Sequence, residues 1–183
     1  NVYIAAQVGG RRLAELFYMP GVALGASVAT YSSQNFGANR RRRIVQGQWV
    51  ALAIYGVWWL FALAFTFTAA PAAIRLITGS TNPDVLENAP LYLHVSIPMV
   101  PPMAVVVIVR NALQGMKHTV APLICSTMEL VCKAFFSFKL VPMLGYPAVC
   151  ACEPVAWVIC MVFILAAAYA FRNDFNDTQE VRT

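Results

Sequence analysis

The sequence predicts an all-α integral membrane protein. Five apolar runs, each long enough to cross a bilayer, are joined by short polar loops. The chain is 60% hydrophobic and only 11% charged, whereas soluble domains carry about 25% charged residues. Between the first two runs stands Arg40-Arg41-Arg42-Arg43. Lys and Arg in short loops beside spanning helices concentrate on the cytoplasmic face. The net charge of +5 comes largely from that cluster, so we read it as a signal of topology and not as a nucleic-acid footprint.

The first span is expected over residues 2–34. A hydrocarbon core of about 30 Å needs about 20 apolar residues, and residues 13–31 supply nearly that number alone. Pro20 should kink this helix, because proline removes one backbone bond and crowds the preceding turn. Gly21, Gly25 and Ala29 fall four apart on one face, and small residues at that spacing let a second helix approach closely in lipid. Gly37 suits a left-handed helix stop, and Asn39 suits the turn after it. The chain opens already inside a helical pattern, so the sequence predicts a part that precedes Asn1.

The second span is expected over residues 44–67. It carries Trp49, Trp58 and Trp59 with no charge, which suits substantial lipid contact. Pro71 should end it, and residues 78–82 should form a loop on the outer side. Asn82-Pro83-Asp84 has the form of a helix start, with Asn82 as cap and Pro83 at the first helical position.

The third span, residues 83–114, contains Pro90, Pro98, Pro101 and Pro102. So many prolines predict a break or bend between Pro98 and Pro102. Carbonyls freed there must face protein or a wet cavity rather than lipid. Met99 and Met103 are cavity-lining candidates, since Met suits an adaptable surface. The fourth span, residues 120–140, holds Glu129 and Lys133, and residues 141–147 should form a tight outer turn. The fifth span, residues 148–171, should be interrupted in its first third at Glu153-Pro154. Residues 173–183 form a polar tail, expected in the cytoplasm with the arginine loop.

Soluble-enzyme motifs are missing: the sequence has no P-loop, GxSxG, HExxH or GxGxxG, and we expect no enzyme. The five cysteines lie in apolar runs without a CxxC pair, so neither structural zinc nor a disulfide framework is expected. His94 and His118 are isolated. No metal and no cofactor beyond a coupling ion are expected.

The chemistry-bearing residues are charges inside spans, each costing about 2.5–3.5 kcal/mol at the bilayer centre on insertion scales. Glu129 and Lys133 stand four apart in the order that favours a helical ion pair. They form a static pair, or the carboxylate exchanges a proton or cation during transport; both readings are open. Glu153, expected at a helix break, is an ion or proton site or the partner of Lys139 at similar depth. Glu15 with Arg11 and Arg12 makes the third group, either neutralised at spacings of three and four or snorkelled to the interface.

Together, Ala5-Ala6, Arg12, Met19-Pro20, Gly25-Ala26, Gln34-Asn35-Phe36-Gly37-Ala38 and the arginines after them resemble the C-terminal lobe of the multidrug and toxic compound extrusion (MATE) transporters. So do Arg110-Asn111-Ala112-Leu113-Gln114-Gly115-Met116, Glu129-Leu130, Leu144-Gly145-Tyr146 and Glu153-Pro154 with Trp157. The resemblance implies that residues 1–172 form most of one six-helix lobe, holding the eighth to twelfth of twelve spans. It implies as partners an N-terminal lobe of the same polypeptide, a small-molecule substrate and the lipid bilayer. It also implies alternating access in the plasma membrane, with export of amphipathic, often cationic compounds against inward protons or sodium ions.

Gln34, Asn35, Asn111 and Gln114 join the cavity-lining candidates. Family members often show Arg-x-Glu where this chain has Arg12-Leu13-Ala14-Glu15. Some members bind a cation through an acid in the span that corresponds to the third here; this chain has no acid between Pro90 and Gln114, so the resemblance implies protons rather than sodium as coupling ion. The rival readings are a lipid-linked precursor flippase of the same superfamily and a non-transporting membrane scaffold.

Overall fold

Helices account for nearly all of the chain, as the apolar runs require. The computed structural model describes residues 2–78 and 83–175. The elements are α1 (Val2–Gly37), α2 (Arg41–Thr78), α3 (Pro83–Ser96), α4 (Val100–Gly115), α5 (Val120–Phe135), a π-helical turn (Phe136–Leu140), α6 (Val141–Leu144), α7 (Tyr146–Ala170) and a final 3-10 turn (Arg172–Phe175). No strand occurs among the described residues. Four stretches are long and apolar enough to span a membrane: Val8–Gly37, Arg41–Ala70, Val120–Leu144 and Tyr146–Ala170. A fifth is the bent pair Pro90–Ser96 and Val100–Gly115. The expected outer loop at residues 79–82, with the Asn82 cap, lies outside the described residues, as do residues 176–183 of the tail.

α1 is the organising helix and packs against α2, α3 and α4. Leu13, Ala14 and Phe17 anchor one core cluster with Tyr92, Leu93 and Ile97. Val28 belongs to a second cluster toward the arginine loop, with Ile108, Leu113, Cys125 and Ile164. The stripe of small residues on α1 is used as its spacing predicts. A methyl group added at Gly25 would stand 2.7 Å from Val107 Cγ1 and 2.8 Å from Asn111 Nδ2. One added at Gly115 would stand 2.4 Å from the Ala29 carbonyl oxygen. The two backbones therefore meet with no room for a side chain between them.

The third span breaks where its prolines predict. Residues 97–99 form a turn, and the two helices on either side are bent by 56°. Pro101 has no N–H, so the Ile97 carbonyl loses its ordinary helical donor. Two donors stand in: the Val100 N–H at 3.2 Å and, from α2, the Trp59 indole N–H at 2.9 Å. Trp58 and Tyr55 likewise donate to the Phe17 carbonyl, at 3.0 Å and 3.2 Å. Two tryptophans expected to meet lipid thus turn their polar edges inward, onto backbone carbonyls of α1 and of the break.

Four other expectations need correction. Pro71 follows the end of the spanning stretch at Ala70 but does not end the helix, since α2 runs on to Thr78. Pro154 lies inside an uninterrupted α7, and Glu153 before it is helical. A proline costs a helix one hydrogen bond and some crowding, and these packed helices absorb both. The left-handed residue after α1 is Asn39, φ 54, and not Gly37, which closes the helix. The turn expected over residues 141–147 shrinks to Gly145, φ 67, because the fourth span continues through a π-turn into α6. There the Val141 N–H reaches back to the Phe136 carbonyl, the wider bonding that defines a π-turn.

Alanine at the three glycines should rank by what surrounds them. Gly115→Ala meets backbone and should destabilise by about 1–3 kcal/mol, the ordinary cost of overpacking. Gly25→Ala meets side chains that can shift and should cost less. Gly56 has nothing within 4 Å of the added carbon, so Gly56→Ala should be neutral or slightly stabilising. Thermal unfolding of the three purified variants checks the order.

Candidate functional site

Inside the bundle, seven residues into α7 and about 10 Å along its axis, Glu153 faces a cavity of about 300 Å³. Four helices contribute its polar wall: Arg11 from α1, Tyr92 from α3, Lys133 from α5, and Cys152 with Glu153 from α7. Ser137 and Val141 continue the α5 wall. Positions four apart on a regular α-helix drift round its axis; the wider π-turn offsets that drift and keeps Lys133, Ser137 and Val141 on the cavity side.

Glu153 is held from two directions. The Tyr92 hydroxyl donates to Oε2 at 2.8 Å, and Arg11 Nη2 lies 3.9 Å from Oε1. Arg11 is shared, since its Nε donates to Glu15 Oε1 at 3.1 Å. Lys133 reaches the cavity while donating to Glu129 Oε1 at 2.8 Å. Glu129 has a second cation, Arg110 of α4, at 3.9 Å, and Arg110 also donates to Ser126 Oγ at 3.4 Å. Two charge clusters therefore sit side by side. Glu15, Arg11 and Glu153 tie α1 to α7, and Arg110, Glu129 and Lys133 tie α4 to α5.

The predicted residues fall into place unevenly. The Glu129–Lys133 pair forms as its spacing requires. Glu153 takes Tyr92 and Arg11 as partners in place of the expected Lys139, which is exposed in the π-turn. The guanidinium beside Glu15 belongs to Arg11, and Arg12 is exposed. None of the six cavity-lining candidates borders the Glu153 cavity. Met99 is exposed at the break and Met103 is buried. Asn111 donates to the Val107 carbonyl at 2.7 Å, and Asn35, buried, donates to Tyr31 at 2.8 Å. Gln34 and Gln114 are exposed.

Sequence reasoning missed Tyr92 and the role of Arg110. Tyr92 carries no local signal, because its partner stands 61 positions away. Arg110 did carry one: an arginine beside a spanning helix needs a carboxylate partner. Among the described residues no group of three or more His, Cys, Asp or Glu is placed to hold a metal ion.

Spanning-length apolar helices, a proline-bent pair and paired charges within the spans define a multi-pass helical membrane protein. No curated protein matches the chain. The MatE family model matches residues 1–138, and the chain belongs to that family. Membership places it among membrane transporters rather than enzymes.

The Arg110–Glu129–Lys133 cluster should behave as an ion pair with a second cation attached. Glu129→Gln strands two cations and should lower the amount of folded protein, because a partner removed leaves an uncompensated charge. Lys133→Met leaves Glu129 with Arg110 and should be milder. Their coupling in a double-mutant cycle should be about 0.5–3 kcal/mol, read from unfolding of the purified variants.

Proposed function

We propose that this chain belongs to a secondary antiporter that exports amphipathic, mostly cationic compounds by alternating access, coupled to inward protons through Glu153. The observation that carries this reading is the polar cavity itself: a carboxylate on its wall, a tyrosine hydroxyl and two cations around it, within a bundle of spanning helices. A coupling site must bind its ion differently in two conformations, since a ligand shifts an equilibrium only by its differential affinity. The sharing of Arg11 provides the means. With Glu153 charged, Arg11 bridges Glu15 of its own helix and Glu153 of α7. With Glu153 protonated, that attraction between α1 and α7 is gone, and Arg11 keeps Glu15 alone. Proton uptake thus loosens one helix–helix tie without stranding the arginine. Glu129, held between cations from two helices, serves as a clamp and is the second candidate for coupling.

The test is efflux of a cationic dye from vesicles holding the transporter that contains this chain, with proton and sodium gradients imposed separately. Glu153→Gln should fold in ordinary amounts and lose proton-driven efflux by about 5–150-fold, the usual range of coupling free energies. Glu129→Gln combined with Lys133→Met should retain it. Proton-driven efflux that survives Glu153→Gln rules this site out.

We place the arginine loop in the cytoplasm and the protein in the plasma membrane. Support comes from the basic residues gathered at one end of the bundle. Arg41 lies over the Phe36 ring at 5.2 Å, and Arg172 over Tyr169 at 4.4 Å. His118, beside Lys117 in the α4–α5 turn, stacks on Phe171 at the end of α7. These basic residues, brought to one end, are what the lysine and arginine bias assigns to the inner side. In a variant whose only cysteine is at position 42, an impermeant maleimide should label only after the cells are permeabilised. Labelling in intact cells reverses the orientation.

A further inference from the structure

Between α1 and α2, on the half nearer the arginine loop, runs an open apolar groove of about 510 Å³. Leu24, Val28 and Tyr31 form one wall, and Gly47, Val50 and Ile54 the other. The Tyr31 ring packs directly onto Gly47, where a methyl would stand 2.6 Å from it. Followed back toward the loop, the α2 wall does not stay apolar. Gln46 lines the groove, and Arg42 and Arg43 precede Gln46 and Gly47 by four residues each, one turn along the same face. Both arginines are exposed. The result is an apolar trough, open at the side, whose α2 wall leads one turn back to Arg42 and Arg43.

That combination matches one kind of molecule. An apolar slot beside a basic cluster at the end of spanning helices suits an anionic headgroup with its acyl chain, and guanidinium groups bind phosphate through paired hydrogen bonds. We propose that the groove seats one acyl chain of an anionic diacyl phospholipid from the leaflet on the arginine side, with its phosphate held by Arg42 and Arg43.

The test uses the transporter that contains this chain, in nanodiscs doped with a phospholipid carrying a photoreactive diazirine in one acyl chain. The probe is made with a phosphatidylglycerol or a phosphatidylcholine headgroup. Peptides spanning residues 24–31 and 46–54 should be cross-linked, and more strongly by phosphatidylglycerol, by about fivefold for each arginine engaged. Arg42→Gln with Arg43→Gln should abolish the preference and leave the labelling. Val50→Trp fills the groove from an exposed position and should reduce labelling of both peptides by either probe at an unchanged unfolding temperature. Should Val50→Trp unfold, the arginine variant decides alone. Three outcomes overturn the proposal: no label on these peptides in the folded protein, which means another protein segment covers the groove; equal labelling by the two headgroups; or a preference that survives loss of both arginines.

Discussion

The backbone contact between α1 and α4 is the constraint from which the rest follows. Lipid offers helices no hydrophobic reason to associate, so packing and hydrogen bonds must hold them together. Here the packing is closest at Gly115, which meets the α1 backbone at Ala29, and at Gly25, against which Val107 and Asn111 pack. With α1 and α4 fixed against each other, α2 lies across both, and α7 closes against α4 and α5. The charged residues are positioned by this arrangement rather than producing it. Arg11 on α1 and Glu153 on α7 meet because both helices are registered against the same bent span.

Polar satisfaction follows the same economy through much of the bundle, although among the described residues Ser32 Oγ and Thr66 Oγ1 are buried without a hydrogen-bond partner. Where proline removes a donor, a side chain from a neighbouring helix supplies one, as Trp59 does at Ile97. Short hydroxyl and amide side chains fold back on their own helices: Ser27, Thr30, Thr68, Ser126 and Thr127 each donate to the carbonyl four residues earlier. Charged groups form two compact clusters, each linking two helices. A bilayer leaves few other options, since a polar group without a partner there costs several kcal/mol.

What the sequence revealed and what it hid divide along a physical line. Features set by local spacing were legible: the spans, the small-residue face, the break near Pro98 to Pro102, and the Glu129–Lys133 pair. Features set by packing across the bundle were not. Glu153 finds Tyr92 and Arg11, two residues far away in the chain, and nothing within a few positions of Glu153 points to either. Proline was the misleading signal. Its local rule forecast a stop at Pro71 and an interruption at Pro154, yet both helices run on, while the cluster at Pro98, Pro101 and Pro102 breaks the third span. A single missing bond is absorbed; three prolines within five positions are not.

The indole of Trp59 ties the bend to a separate helix. The Ile97 oxygen lies at the corner of the α3–α4 angle, and one of its donors stands on α2. Any motion that opens or closes that angle must either carry α2 along or give up the bond. The joint is thus sprung from outside. Its resting angle belongs to two helices at once, and whatever displaces α2 at the lipid surface is felt at the corner.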